Sequence, residues 1–346
     1  MKLSRFGERA LIRRIREVVG ADAPGVSVGI GDDAAVLAPA KGTSLLATTD
    51  LLLENVHFRR RYADPHDIGW KAMAVNLSDI AAMGGTPRYA LVALACPAET
   101  ETEAIEAFYK GMQAAAAPDG VAIVGGDTCA SPAGLLVSVT LLGELARTPC
   151  LRSGARPGDL IAVTGSLGRS AAGLALLEAT EGESGHPMVS HDVQHEVIRA
   201  HLLPVARVAE GRWLGGRSAI HAMIDLSDGL ATDLGHITSE YGVGARVYLD
   251  RLPITPAVRS VAAALRVDPI PLAISGGEDY ELLLTADPTA FPGLARELEA
   301  QTGTPLTVAG EVLEPDAGVQ FVDARGEPAR VGRGFEHFSS RSSRGA

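Results

Sequence analysis

The side chains best suited to chemistry in this sequence are carboxylates, and they recur in one kind of setting. Asp32 and Asp33 follow Gly31 in the stretch VGIGDDAAVL, Asp50 follows Thr48 and Thr49, and Asp127 follows Gly125 and Gly126. Asp225 and Asp228 flank Leu226 and Ser227 ahead of Gly229, while Glu278 and Asp279 follow Gly276 and Gly277. Each group is read as lying directly after an apolar strand, in a turn built from Gly, Ser or Thr. Such turns line the clefts of α/β sheets, where ligands bind. The Gly29–Ala34 stretch also fits G-x-G-x-x-A, a loop that offers bare backbone N–H groups to a diphosphate. Two adjacent carboxylates there would repel one. Asp-Gly and Ser-Asp-Gly are ordinary turn and capping sequences, but five such settings in one chain exceed what capping requires. Carboxylates gathered in one cleft raise each other's pKa unless cations intervene. Hard oxygen ligands with Thr hydroxyls suit Mg²⁺, which bridges carboxylates to nucleotide phosphates. On this reading the loops hold metal ions, and the metals hold the phosphates.

The elements that position these groups alternate between strand-like and helix-like segments, which points to an α/β (α+β) architecture. TSLLAT reads as a strand ending at Thr48-Thr49-Asp50. In DIGWKAMAVNLSDIAAM, residues Trp70, Met73, Leu77 and Ile80 line one helical face. Asn76 and Asp79 lie off that face, so Asp79 can point into a site. RYALVALAC is a strand, AETETEAIEAFYKGMQAAAA a helix, GVAIV a strand running into Gly125-Gly126-Asp127, and GLLVSVTLLGEL another strand. The turn-rich LARTPCLRSGARPGD marks a boundary that separates 1–148 from 149–338. Beyond it come strand LIAVTG, helix RSAAGLALLEA, the segment EGESGHPMVSHDVQ read as a surface insertion, strand AIHAMI, helix LATDLGHITSEY and LAISGGEDYELLLTA. The polar residues 339–346 read as a disordered tail.

Composition narrows the function classes. The chain has 346 residues, enough for about two domains, with 46% hydrophobic residues to fill their cores. A net charge of −11 and only 4% aromatic residues argue against nucleic acid and anionic membranes as partners. Cys96, Cys129 and Cys150 have no ligand-like spacing, and fit incidental thiols in a reducing compartment. The first 19 residues are too charged for a signal peptide, and no apolar run is long enough for a membrane span. A soluble, cytoplasmic protein is expected. There is no G-x-x-x-x-G-K-[ST] loop, no H-R-D or D-F-G signature and no H-E-x-x-H motif, and His191 and His195 read as solvated.

Taken together, GIGDDAAVL, TTDLLLENVHF, KAMAVNLSDIAAMGG, VGGDT, LRSGARPGD, IDLSDGLATDLGHI, SGGEDYEL and GRGFEHF resemble the thiamine-monophosphate kinase family. The order and spacing hold from about Phe6 to Phe338. GDD and SDG alone are shared by a wider superfamily, which includes aminoimidazole ribonucleotide synthetase, selenophosphate synthetase and a hydrogenase maturation protein. TTDLLLENVHF, NLSDIAAMGG and SGGEDYEL in one chain are more diagnostic. The resemblance implies the two-domain aminoimidazole ribonucleotide synthetase-like fold. In it, 1–148 would be a metal/ATP-binding and dimerisation domain and 149–338 a C-terminal α/β domain. It also implies ATP-dependent phosphorylation of thiamine monophosphate by direct transfer, and a homodimer whose N-terminal sheets pack together. Carried over residue by residue, Asp33, Thr48, Thr49, Asp50, Asp79, Asp127, Asp225 and Asp228 match Mg²⁺ positions. Tyr109, Gly126, Asp127, Arg152 and Ser227 match ATP-binding positions, and His57, Glu278 and Phe335 match the thiamine-phosphate site. The insertion and CASPAG, after Gly-Gly-Asp-Thr, depart from typical members. The alternatives are a related ATP-dependent synthetase with another acceptor, or a non-catalytic nucleotide- or metal-binding module.

Overall fold

The computed structural model describes residues 2–6, 8–20, 23–28, 30, 35–179, 189–332 and 334–335. Asp33 with its loop, residues 181–188 of the insertion and the tail 339–346 lie outside them. The chain forms two compact units, Met1–Ile80 with Gly85–Arg147, and Ala81–Gly84 with Thr148–Ala346.

The first unit contains α1 (Leu3–Phe6), α2 (Glu8–Val19), α3 (Pro65–Ala82, whose last two residues join the second unit) and α4 (Thr102–Ala116). Its strands are β1 (Val26–Val28), β2 (Val36–Leu37), β3 (Ser44–Leu53), β4 (Thr86–Cys96), β5 (Ala122–Ala130) and β6 (Leu136–Leu145). β1 and β2 pair separately, and the rest form a sheet in the order β3-β6-β4-β5. Residues two apart on a strand share a face, and here the two faces differ sharply. One buries Leu52, Val92, Leu94, Val137, Val139 and Leu141, whereas the other leaves Leu45 57%, Leu51 47% and Leu91 36% exposed. On the buried side, Gly143 fits beneath Ile80 of α3. Helices α3 and α4 cross at backbone contact, where a Cβ on Gly69 would meet the Phe108 carbonyl and one on Gly111 the His66 carbonyl. Phe108 and Met112 are sealed beside that crossing; burying a side chain of this size stabilises by roughly 1.5–3 kcal/mol.

The second unit is a six-stranded sheet in the order β12-β9-β11-β7-β10-β8, antiparallel except for the β12–β9 pair. Its strands are β7 (Leu160–Thr164), β8 (Ile220–Asp225), β9 (Gly244–Tyr248), β10 (Leu282–Ala286), β11 (Leu306–Leu313) and β12 (Val319–Val322). Its helices are α5 (Arg169–Ala179), α6 (His191–Leu202), α7 (Val208–Leu214), α8 (Leu230–Tyr241), α9 (Pro256–Leu265), α10 (Pro269–Ile274) and α11 (Phe291–Thr302). All five residues of β10 are buried, as suits a strand covered on both faces. Ile161, Val163, Ile224 and Leu283 of the sheet share one core with Leu176 of α5, Leu234 of α8 and Val258 of α9.

Four expectations change. Asp50 and Asp127 lie inside β3 and β5 rather than in turns after them. β3 runs on to Leu53 because β6 pairs with it from Ser44↔Leu145 to Leu53↔Leu136. Glu278 and Asp279 precede β10, following α10 rather than a strand. α3 carries more than one apolar stripe. It is covered on nearly every side, and Asn76 is 0% exposed, its Nδ2 donating to the Ala72 carbonyl at 3.1 Å. The end of the expected insertion is helical: Ser190 caps α6, its Oγ accepting from Val193 N at 3.3 Å, and His191 and His195 stand exposed on that helix.

Candidate functional site

In the first unit, strand alternation sorts the candidate ligands. Thr48 and Asp50 fall on the buried face of the sheet, and the Thr48 hydroxyl donates to the Asp79 carboxylate on α3. That bond ties the edge strand β3 to a helix across the core side. Thr49 points the other way, donating to the Val139 carbonyl at 3.1 Å and accepting from the Thr140 hydroxyl at 3.1 Å. Asp127 pairs in register with Ala93 on the exposed face, and its Oδ1 accepts from Thr128 N at 2.8 Å. The structure therefore brings Thr48 together with Asp79, and places Thr49 and Asp127 on the opposite face.

Gly126 has φ +150, and a Cβ there would collide with the Val92 carbonyl of β4. Only glycine lets β5 approach β4 so closely. Tyr109 is 3% exposed and packs edge-on to Phe108, ring centroids 5.3 Å apart; burial raises its phenol pKa. It is a core residue of this unit. His57 follows β3, and its Nδ1 accepts from Leu53 N at 3.0 Å, which leaves Nε2 to carry the proton of a neutral ring. A cavity of ≈ 370 Å³ opens at the same strand ends, lined by Leu53, Glu54, Asn55, Ala95, Ser131 and Leu136 among others.

In the second unit, residues far apart in sequence converge. Asp225 ends β8 opposite Leu282 of β10, so the turn after one strand meets the approach to the other. Leu226 N donates to the Glu281 carbonyl at 2.8 Å, Tyr280 N to the Leu226 carbonyl at 2.9 Å, and Glu278 N to the Ser227 carbonyl at 2.7 Å. Phe335 N reaches the Asp228 carbonyl at 3.0 Å, and its ring is 40% exposed. Asp225, Ser227, Asp228, Glu278 and Phe335 thus share one end of this sheet. Arg152 stands exposed on the loop before β7, where Leu151 accepts from Met223 N at 2.9 Å.

Glu278 and Tyr280 adopt φ +65 and +49, left-handed values that cost a non-glycine residue about 1–3 kcal/mol each. The surroundings hold them there. Asp279 caps α5, accepting from Gly168 N at 2.7 Å and Ser170 N at 3.3 Å. Burial pushes its carboxyl up to about 7 against the pull of those amides. Glu281, 0% exposed, accepts from Arg207 at 2.6 and 2.7 Å, from Arg169 at 3.3 Å and from the Thr164 hydroxyl at 2.8 Å.

Asp233, on the first turn of α8, is 2% exposed and accepts from Asp228 N and Gly229 N at 3.1 Å each. Burial first, and then the nearby Asp225 and Asp228 carboxylates, push it up to about 8. Ligand atoms of Asp228, Asp233 and His236 lie within 4.8 Å of one another. Carboxylates that repel one another in this way are a setting a divalent cation relieves. The sequence reading missed Asp233, although an Asp in the first turn after Ser-Asp-Gly was its available signal. It also missed Arg207, Glu281 and His201, for which nothing local gave one.

Residues 31–145 match the family model described as AIR synthase related protein, N-terminal domain, and 156–323 the corresponding C-terminal domain. The thiamine-monophosphate kinase of Salmonella typhimurium (strain LT2) is 39% identical over 340 residues, covering 96% of this chain and 99% of that protein. The chain belongs to the thiamine-monophosphate kinase family. A crystal structure of the family's enzyme from Stenotrophomonas maltophilia K279a superposes with TM-score 0.80 at 38% identity, covering 95% of this chain and 99% of that one. A second solved structure, AaThiL complexed with AMPPCP and TMP, gives TM-score 0.73 at 33% identity, covering 98% of this chain and 99% of that one. For a thiamine-monophosphate kinase the mixed α/β, two-domain aminoimidazole ribonucleotide synthetase-like fold is the expected one. Among the described residues no helix is long and apolar enough to cross a membrane.

Proposed function

We propose that this protein phosphorylates thiamine monophosphate to thiamine diphosphate, with ATP as donor and direct transfer of the γ-phosphate. The observation that carries the reading is 39% identity to a thiamine-monophosphate kinase along 96% of this chain. The acceptor is a phosphate monoester, whose second pKa is about 6, so it arrives ionised and needs no general base. The chemistry needs alignment and charge neutralisation. Mg²⁺ suits the donor sets present: Thr48, Asp50 and Asp79 in the first unit, with Thr49 and Asp127 on its other face, and Asp225 and Asp228 in the second. When bound it would neutralise phosphate charge and orient the reacting oxygens. Asp33 is assigned to the same role by resemblance.

The remaining roles follow from the chemistry of each group. Gly126 exposes backbone to the nucleotide, Ser227 offers a hydroxyl, and the exposed Arg152 guanidinium can fork a phosphate. Tyr109, buried as it is, would act on nucleotide binding by holding α4 in place. Glu278 can hydrogen-bond the aminopyrimidine or offset the thiazolium charge. Phe335 offers its half-open ring to the same cation, and His57 an Nε2–H to the phosphate. The first unit, about residues 1–148, serves metal and ATP binding, and also pairing of the chain with a second copy. Leu45, Leu51 and Leu91 on its open sheet face support that homodimer. Three free cysteines suit the reducing cytoplasm.

Purified protein with Mg²⁺, ATP and thiamine monophosphate should yield thiamine diphosphate and ADP in equal amounts by chromatography. Free thiamine, lacking the nucleophilic phosphate, should be a poor substrate. Absence of thiamine diphosphate under these conditions overturns the reading.

A further inference from the structure

We propose that His201 is a positioning residue for the acceptor: its buried imidazole fixes the Glu278 carboxylate in the orientation that receives thiamine monophosphate. The proposal rests on the assignment of Glu278 to the acceptor and goes beyond it. His201 lies in the last turn of α6 and is 2% exposed, and its Nδ1 lies 3.3 Å from Glu278 Oε2 and 3.0 Å from Ser170 Oγ. An ionised carboxylate brings no proton of its own, so Nδ1 must carry the hydrogen that faces it. Ser170 then shares that hydrogen as an acceptor. This fixes the tautomer and the ring plane together.

The packing explains why the imidazole can reach. On α5, Gly173 lies against the Val197 carbonyl and the His201 Cβ, where a side chain on residue 173 would force the helices apart. Ser170, one turn earlier on α5, is thereby brought to His201, one turn beyond Val197 on α6. The same first turn of α5 grips the acceptor segment a second time, through the Asp279 carboxylate on Gly168 N and Ser170 N. Glu278 is therefore held through its backbone by the Ser227 carbonyl, through its neighbour by α5, and through its own carboxylate by His201. Its side chain remains 24% exposed, open enough to meet a ligand. A carboxylate with its rotamer already chosen loses less entropy on binding.

Three single variants and one double variant of the full-length protein test this by steady-state kinetics, each checked by its melting temperature. His201→Leu keeps bulk without a donor, His201→Asn restores an N–H near the place of Nδ1, and Glu278→Gln removes the charge. His201→Leu should raise the KM for thiamine monophosphate about tenfold, with the KM for Mg·ATP within about twofold. His201→Asn should recover most of that loss, and adding His201→Leu to Glu278→Gln should do little beyond Glu278→Gln alone. Equal increases for His201→Leu and His201→Asn would refute the donor role. So would an unchanged KM in His201→Leu while Glu278→Gln raises it, and in that case the acceptor assignment of Glu278 survives. An unchanged KM in Glu278→Gln removes that assignment, and the proposal with it.

Discussion

In the first unit Asp50 stands half-buried and Asp127 exposed within strands, and the Thr128 amide donates to the Asp127 carboxylate. In the second, Asp225, Asp233 and Glu281 are 4%, 2% and 0% exposed, and backbone amides or guanidinium groups answer the last two. Both units gather negative charge, by opposite means. A carboxylate near water keeps its charge cheaply and is available to a ligand. One sealed in a core must be matched by the protein itself, and so becomes part of what holds the fold. Substitutions in the first unit should cost chemistry, and those at the buried network of the second should cost stability.

The largest expected effect tests the buried side. Glu281→Ala leaves Arg207, 16% exposed, without its two short contacts; breaking a buried pair in this way costs about 3–5 kcal/mol. Urea denaturation reads it, and a loss below about 1 kcal/mol would erase the contrast. Next is Asp50→Asn, which keeps shape and removes charge. Turnover should fall at least about a hundredfold, while the melting temperature without ligand holds or rises as repulsion drops. Near-normal turnover would make Asp50 a structural strand residue.

Within the site, Glu278→Gln should weaken thiamine monophosphate binding about tenfold to hundredfold, the worth of one charged hydrogen bond, with Mg·ATP nearly unaffected. Asp127→Asn should do the reverse. Calorimetry with a non-hydrolysable ATP analogue separates them, and loss of nucleotide binding in Glu278→Gln would move Glu278 into the metal cluster. A further test is a pH dependence at Asp279, whose carboxyl is raised to about 7 in the fold from about 3.9 unfolded. The folded state holds a proton that the unfolded chain has released. The stability tied to that proton is complete below about pH 4 and is lost as pH rises through about 7. Asp279→Asn, which cannot ionise, should therefore gain in melting temperature relative to the parent across that window and level off above it. Each 1 kcal/mol is about 2–4 °C for a unit of this size. A difference that stays flat with pH would show that Asp279 does not titrate there.

What the sequence made legible was mostly local. Strand alternation, the helix with Asp79 and the Ser-Asp-Gly turn before α8 all follow from spacing within a dozen residues. The error at Asp50 arose because the length of β3 is set by β6, roughly ninety residues away, and not by its own composition. Glu278 beside Ser227, and His201 beside Glu278, likewise depend on which strands and helices become neighbours. Glu281 gains its partners only because Arg207 arrives from the turn before α7, some seventy residues away in sequence.

The alternation of β3 also constrains which genetic changes the protein can survive. Thr48 and Asp50 face the core side only because they lie an even number of positions from Leu46 and Leu52 along the strand. Losing a single codon between Ser44 and Thr48 would leave a strand that still pairs with β6. Its threonine and aspartate would turn outward, and the leucines meant for the open face would turn in. Substitutions can be accepted along this strand one at a time, whereas an insertion or deletion exchanges its two faces at once. Length variation among relatives should therefore accumulate outside the strand.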